Sequence, residues 1–193
     1  VAMRLLRVSF AILLGLVFSV AGSRATTTVV FPSFELNRFG SEELVKLDDF
    51  AGSIVVLDFF AYWCVPCRKV SSDLEEYVQK FYTAKGGNAA GFPVQVVSMN
   101  IEQGRAAKTR QYIKQTGVNL VLDDVGGKVY QSLNGRGIPY VVVLTETVGG
   151  SHWAISYSHA GYEGYEKVRE VIDSIRPDDP QAIRPLDKPT PDV

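Results

Sequence analysis

Cysteine, histidine, methionine and tryptophan are scarce in this chain, with two of each in 193 residues. A structural zinc site takes about four ligands. Here the only cysteines are Cys64 and Cys67, and the only histidines, His152 and His159, lie far downstream and not at a paired-ligand spacing. A metal centre therefore has little to build on, and no cofactor is expected. Charge of one sign is lacking too: 20 basic against 21 acidic residues give a formal net charge of −1. With no basic surplus to neutralise phosphates, nucleic acid is not expected as a partner. Long apolar runs are also missing. The best, Val8 to Val20, is interrupted by Ser9, Gly15 and Ser19 and falls short of the ~20 residues a spanning helix needs. What remains is ordinary globular composition, 46% hydrophobic and 21% charged, in a length suited to one domain.

The richest stretch is VVLDFFAYWCVPCRKVSS, residues 55–72. Ile54, Val55, Val56, Leu57, Phe59 and Phe60 read as a buried strand. After Ala61-Tyr62-Trp63, the apolar spacing changes to three and four at Val70, Leu74, Tyr77, Val78 and Phe81, which is a helix. Cys64 and Cys67 thus fall where a strand ends and a helix begins. Unpaired N–H groups and the positive end of the helix dipole stabilise a thiolate there. Two cysteines on one turn can also close a disulfide with little backbone movement. A purely structural disulfide is the alternative, but so short a loop gains little from closure. Near a βαβ pattern such a pair reads as redox-active.

Asp58 to Cys67, DFFAYWCVPC, resembles the active-site stretch of thioredoxins, and Gly137-Ile138-Pro139 resembles the loop whose proline is cis and faces the disulfide. Roughly Phe31 to Ile175 resembles the TlpA/ResA branch, extracytoplasmic thioredoxin-like proteins with an N-terminal extension and a central insertion. The resemblance implies an α/β thioredoxin fold: a central mixed β-sheet flanked by helices, an N-terminal β-hairpin, and a central βα insertion placed here at 94–117. It also implies roles. Cys64 attacks, Cys67 resolves, and Asp58 moves the proton, while Trp63, Pro66, Ile138, Pro139 and Gly161 shape a substrate groove. Asp58 faces away from Leu57 and Phe59, and a buried carboxylate has a raised pKa suited to proton transfer near neutrality. Tyr140 departs from the threonine common after the proline, so a different groove wall is expected there. Glu102 reads as a solvated loop carboxylate, although some relatives carry a glutamate near the disulfide.

Along the rest of the chain, Arg4 and Arg7, the apolar run and then Ala21, Gly22, Ser23 and Ala25 form the three-part pattern of a secretory signal over 1–25. It is expected to be cleaved, or kept as an anchor. Its three arginines leave with it, so 20 basic residues become 17 against 21 acidic, a formal −4. Short strands are expected at Thr26–Val30 and Phe34–Leu36, with a strand or helical turn at Leu44–Leu47. Further strands are expected at 94–101, 118–122, 140–144 and 153–157. Helices are expected at 105–117, 128–133 and 163–175. Asp123 and Asp124 read as turn and cap residues. His152, Trp153 and His159 read as strand-face packing or exposed residues, and Tyr162 and Tyr165 as added groove surface. Residues 26–176 form the domain. From Pro177 on, five of nine prolines fall in seventeen residues, which reads as a disordered tail.

The function expected is thiol–disulfide exchange on exported proteins by a monomer. Thiol or disulfide client proteins and a membrane or periplasmic electron donor would be its partners. Val65-Pro66 puts no charge or histidine between the cysteines, which favours a reductase, and the resemblance implies apocytochrome c as one such client. An oxidant or isomerase of secreted proteins, or a redox-gated binding module, are the alternatives.

Overall fold

The computed structural model describes residues 30–31, 33–147 and 152–176. The signal pattern at 1–25, most of the strand expected at 26–30 and the proline-rich tail lie outside the described residues.

The apolar run at the centre of the sequence becomes β4 (Ile54–Phe60), and all seven of its residues are buried. Continuous apolarity is what a strand covered on both faces requires. β4 pairs in parallel with β5 (Val94–Asn100) and antiparallel with β7 (Tyr140–Glu146). β6 (Val121–Asp123) lies outside β5 and is parallel to it. On the far side β8 (Trp153–Ala160) pairs antiparallel with β7, and the two-residue β1 (Val30–Phe31) closes that edge. Among the described residues the mixed sheet therefore runs β1-β8-β7-β4-β5-β6. This is the thioredoxin arrangement expected from the sequence.

The N-terminal hairpin is β2 (Glu35–Asn37) with β3 (Leu44–Lys46). It covers an edge: Phe39 donates its N–H to the Val121 carbonyl at 2.8 Å, and Arg38 bridges to Leu122, both on β6. The expected strand or turn at 44–47 is both, since a 3-10 turn (Leu47–Phe50) follows β3 directly.

Helices are shared unequally between the faces. Beneath the face of β4 that carries Ile54 and Val56 lie α1 (Val65–Leu74), a one-turn π segment (Glu75–Gln79), α2 (Lys80–Lys85) and α5 (Tyr165–Ser174). Their Val70, Leu74, Val78, Tyr82, Val168 and Ile172 pack with those strand residues. α3 (Ala106–Thr116) packs beside α1 and ends at Gly117, whose left-handed φ of 77° suits a glycine. The opposite face, with Val55, Leu57 and Phe59, is covered by Val45, Leu47, and Val129 and Leu133 at α4 (Lys128–Ser132). The βα unit expected at 94–117 is present as β5 and α3, but β5 is an interior strand of the sheet, and the unit is completed at the edge by β6. Asp124 does the capping expected of it, accepting the first-turn N–H groups of Val129 and Tyr130 at 3.0 and 2.9 Å.

Candidate active site

α1 begins where β4 releases the chain. Cys64 occupies the N-cap with extended backbone (φ −74°, ψ 103°), and its Sγ accepts the N–H of Cys67 at 3.3 Å. Pro66 sits in the first turn, where its missing N–H removes no helical hydrogen bond. That turn holds no acidic residue, so nothing opposes the positive end of the dipole. Cys64 and Cys67 are joined as a disulfide with their Cα atoms 5.3 Å apart.

Both cysteines are buried, though not to the same degree. Cys67 is fully buried, whereas Cys64 keeps 4% of its surface and is bordered by exposed apolar groups: Trp63 at 55%, Val65 at 70%, and Pro66. Tyr62 and the half-buried Ile138 pack against the cysteine pair with Phe60, Ala61 and Tyr112. The Ile138–Pro139 peptide bond is cis. Pro139 is buried, and its carbonyl accepts the Gly161 N–H at 2.8 Å. Gly161 has φ +99°, which disfavours any side chain, while a Cβ there would meet only the His159 ring at 3.6 Å. Glycine is thus required by backbone conformation more than by crowding. Cys64, Cys67, Trp63, Pro66, Ile138, Pro139 and Gly161 come together at one end of the sheet.

Asp58 lies deeper, on the same face of β4 as Val56 and Phe60, and is completely buried. Burial penalises its charged form and pushes the carboxyl up to about 7, although the hydroxyls of Ser71 and, less strongly, Ser98 pull the other way. Oδ2 accepts a hydrogen bond from the Ser71 hydroxyl. Oδ1 has no hydrogen-bond partner; Ser98, opposite on β5, favours the ionised form without completing one. Ser71 stands four residues after Cys67 on the same face of α1, so the carboxylate meets that face one turn beyond Cys67. Ser71 Oγ is also 2.7 Å from the Tyr112 hydroxyl on α3.

Four residues depart from expectation. Tyr140 turns mainly into the core: it is buried, donates its hydroxyl to the Leu133 carbonyl at 2.7 Å, and packs against Phe59 and Tyr130. Strand alternation turns it to the core side. Tyr162 and Tyr165 are engaged away from the groove, Tyr162 donating to Asp73 at 2.9 Å and Tyr165 stacking on Tyr77 with ring centres 4.4 Å apart. Glu102 is not simply solvated, because it accepts the Trp63 indole N–H at 3.2 Å. Ser71 and Tyr112 were not singled out by sequence. The available signal was a serine four residues after Cys67, between the apolar Val70 and Leu74.

A disulfide at the first turn of a helix, with an acid of near-neutral pKa buried in the adjoining strand, is the working arrangement of a thiol–disulfide oxidoreductase. Solved structures agree. The thiol:disulfide interchange protein DsbE from Chlorobium tepidum superposes with a TM-score of 0.60 at 26% identity, over 76% of this chain and 95% of that one. A secreted thiol-disulfide isomerase from Corynebacterium glutamicum gives 0.60 at 18% identity, covering 79% and 93%. StoA from Bacillus subtilis gives 0.52 at 23%, covering 72% and 95%. These last two likenesses are of fold. A family profile described as thioredoxin-like matches residues 52–149, just over half of the chain and inclusive of both cysteines and Pro139. The chain belongs to the thioredoxin-like family.

Proposed function

We propose that this protein reduces disulfides in exported proteins through Cys64 and Cys67. The observation that carries the reading is the disulfide at the start of α1, whose Cys67 is fully buried while Cys64 keeps 4% of its surface beside the exposed Trp63, Val65 and Pro66. In the dithiol form the Cys64 thiolate attacks a client disulfide, forming a mixed disulfide and releasing one client sulfur as a thiolate. Cys67 then gives its proton to Asp58 and attacks Cys64 Sγ. The second client sulfur leaves as a thiolate, and both client thiolates take up protons. Trp63, Val65, Pro66 and Ile138 supply an apolar docking surface, and the backbone at Ile138 can pair with an extended client segment.

The reducing direction is supported by what surrounds Cys64. Strong oxidants have a very low nucleophile pKa. Here Val65 and Pro66 add neither charge nor imidazole, and the N–H of Cys67 is the hydrogen-bond donor the structure shows on Sγ. Export is supported by the signal pattern at 1–25, and the Corynebacterium glutamicum relative is itself a secreted protein. Apocytochrome c, kept reduced by electrons from a membrane donor, is a client class consistent with the TlpA/ResA resemblance. The equilibrium reduction potential of the pair, read by mass-tagging free thiols in defined dithiol buffers, tests the direction. A value near about −270 mV is expected; one near about −120 mV would overturn the reductase reading and make the protein an oxidant.

A further inference from the structure

Asp58 is completely enclosed, yet a carboxyl that titrates near neutrality must equilibrate its proton with solvent. We propose that Ser71 and Tyr112 form a proton relay that connects Asp58 to the surface cavity beside Trp63. This rests on the reading of Asp58 as the acid–base group of the cysteine pair.

The geometry is a continuous chain of hydroxyls. Ser71, itself fully buried, donates to Asp58 Oδ2. A serine hydroxyl has one proton, so while Asp58 is ionised the 2.7 Å contact between Ser71 and Tyr112 must run from the tyrosine to the serine. The hydrogen bonds therefore all point toward the carboxylate. Tyr112 is held by stacking on Phe60, with centres 4.3 Å apart and planes 11° apart. It is also one of the residues lining a cavity of about 320 Å³ with Tyr62, Trp63, Arg68, Lys108 and Gln111. The groups facing the chain are few. Cys67 and Ser71 come from α1, Ser98 from β5 and Tyr112 from α3; β7 presents the apolar Val141 opposite Asp58. The Arg68 guanidinium acts electrostatically on the Tyr112 hydroxyl, favouring its anionic form against burial and the Asp58 charge. Among the described residues no lysine or arginine is hydrogen-bonded to Asp58, and the Ser71–Tyr112 chain is the hydrogen-bonded path that leads from the carboxylate to a residue lining a cavity.

The step balances. When an external dithiol reduces the protein, its thiolate bonds to Cys64 Sγ and the Cys64–Cys67 bond breaks, its electron pair going to Cys67. Protonated Asp58 gives its proton to the Cys67 thiolate. Where Asp58 starts ionised, above about pH 7, the proton for Cys67 comes instead from solvent in the cavity through Tyr112, Ser71 and Asp58 Oδ2, and the second thiol of the external dithiol then displaces Cys64 as a thiolate. Oxidation of the dithiol runs the same transfers backward.

Stopped-flow reduction of the full chain by dithiothreitol, followed by the change in tryptophan fluorescence (Trp63 and Trp153) across pH 5–9 in H₂O and D₂O, tests this without a client. Tyr112→Phe keeps the ring stack and the Ser71–Asp58 bond. It is expected to slow reduction about tenfold, below the ~10²–10⁴ typical of a direct acid–base group, and to raise the solvent isotope effect while leaving the midpoint of the pH profile in place. Ser71→Ala should slow it as much and move the midpoint upward, because a bond that favours the carboxylate is gone. Ser71→Thr should restore both. Wild-type rates and isotope effects in Tyr112→Phe and Ser71→Ala would overturn the relay. So would slow variants that Ser71→Thr does not rescue although thermal unfolding shows them folded. A wild-type disulfide inert to dithiothreitol would overturn the functional reading and the relay together, whereas an oxidising potential would leave the relay standing.

Discussion

The two faces of β4 are both buried, but they are built differently. Val55, Leu57 and Phe59 pack against other apolar side chains beneath the hairpin and α4. On the other face Ile54 and Val56 begin the same way, beneath α1 and α5. Two residues further along come Asp58, with a raised pKa, and Phe60, stacked on Tyr112. One face contributes burial free energy, about 1.5–3 kcal/mol for each large apolar side chain. The other gives up some of that to hold a carboxyl group where water cannot reach it. The buried acid and the stacked ring thus fall in the second half of one face, at the end where the chain turns into α1, and adjacent residues on one strand should respond to mutation in opposite ways.

The largest effect is expected at the exposed end of the site face. Cys64→Ser should abolish exchange, since the remaining thiol, Cys67, is fully buried. Cys67→Ser should still attack once and then hold its client as a mixed disulfide, visible as an adduct by non-reducing electrophoresis and mass spectrometry. Adducts trapped by Cys64→Ser instead would reverse the assigned roles.

Next come the neighbours Leu57 and Asp58, which set the comparison most directly. Leu57→Ala, on the apolar face, should cost about 2–5 kcal/mol in denaturant unfolding and leave the reduction potential and exchange rate of the folded protein within about twofold. Asp58→Asn should slow exchange about 10²-fold and have a stability effect that depends on pH. The unfolded carboxyl titrates near 3.8 and the folded one near 7. Between these values the native state keeps a proton that the unfolded state has released, so wild-type stability falls as pH rises and levels off above about 7. Asparagine has no such slope. From pH 4 to pH 8 the variant should therefore gain on the wild type by up to about 4 kcal/mol. A difference that stays constant across that range would mean Asp58 is not a buried titrating acid, and the contrast between the faces would fail.

Much of this was legible in the sequence, for identifiable reasons. β4 showed itself because a strand buried on both sides needs an unbroken apolar run, and Asp58 stood out as the lone charge within it. The start of α1 was marked by the change of period after Trp63. The hairpin is shifted one residue from the expected Phe34–Leu36, and β6 begins only at Val121; Val118 and Leu120 are buried without belonging to a strand, so apolarity alone misplaced the boundary. Ser71 and Tyr112 could not be paired from sequence, because forty-one residues separate them and only the packing of α3 on α1 brings them together. Tyr140 was misjudged for a related reason. Its neighbour Pro139 lies at the site, but alternation along β7 sends the next side chain into the apolar core.

The smallest effect tests where the site face ends. Glu102 accepts the indole N–H of Trp63, a contact at the rim with the ring itself 55% exposed. Glutamine retains an acceptor oxygen, so Glu102→Gln should change stability by less than about 0.5 kcal/mol, as surface substitutions usually do. Glu102→Ala removes the acceptor and frees the ring to rotate. If Trp63 is a docking group and takes no part in sulfur chemistry, the alanine variant should raise KM for a protein disulfide about two- to threefold with kcat unchanged, the pattern of lost uniform binding. Reduction by a small dithiol, which needs no docking surface, should be unaffected. A lowered kcat, or slower reaction with the small dithiol, would extend the acid–base machinery out to Glu102 and erase the boundary between the buried relay and the exposed rim.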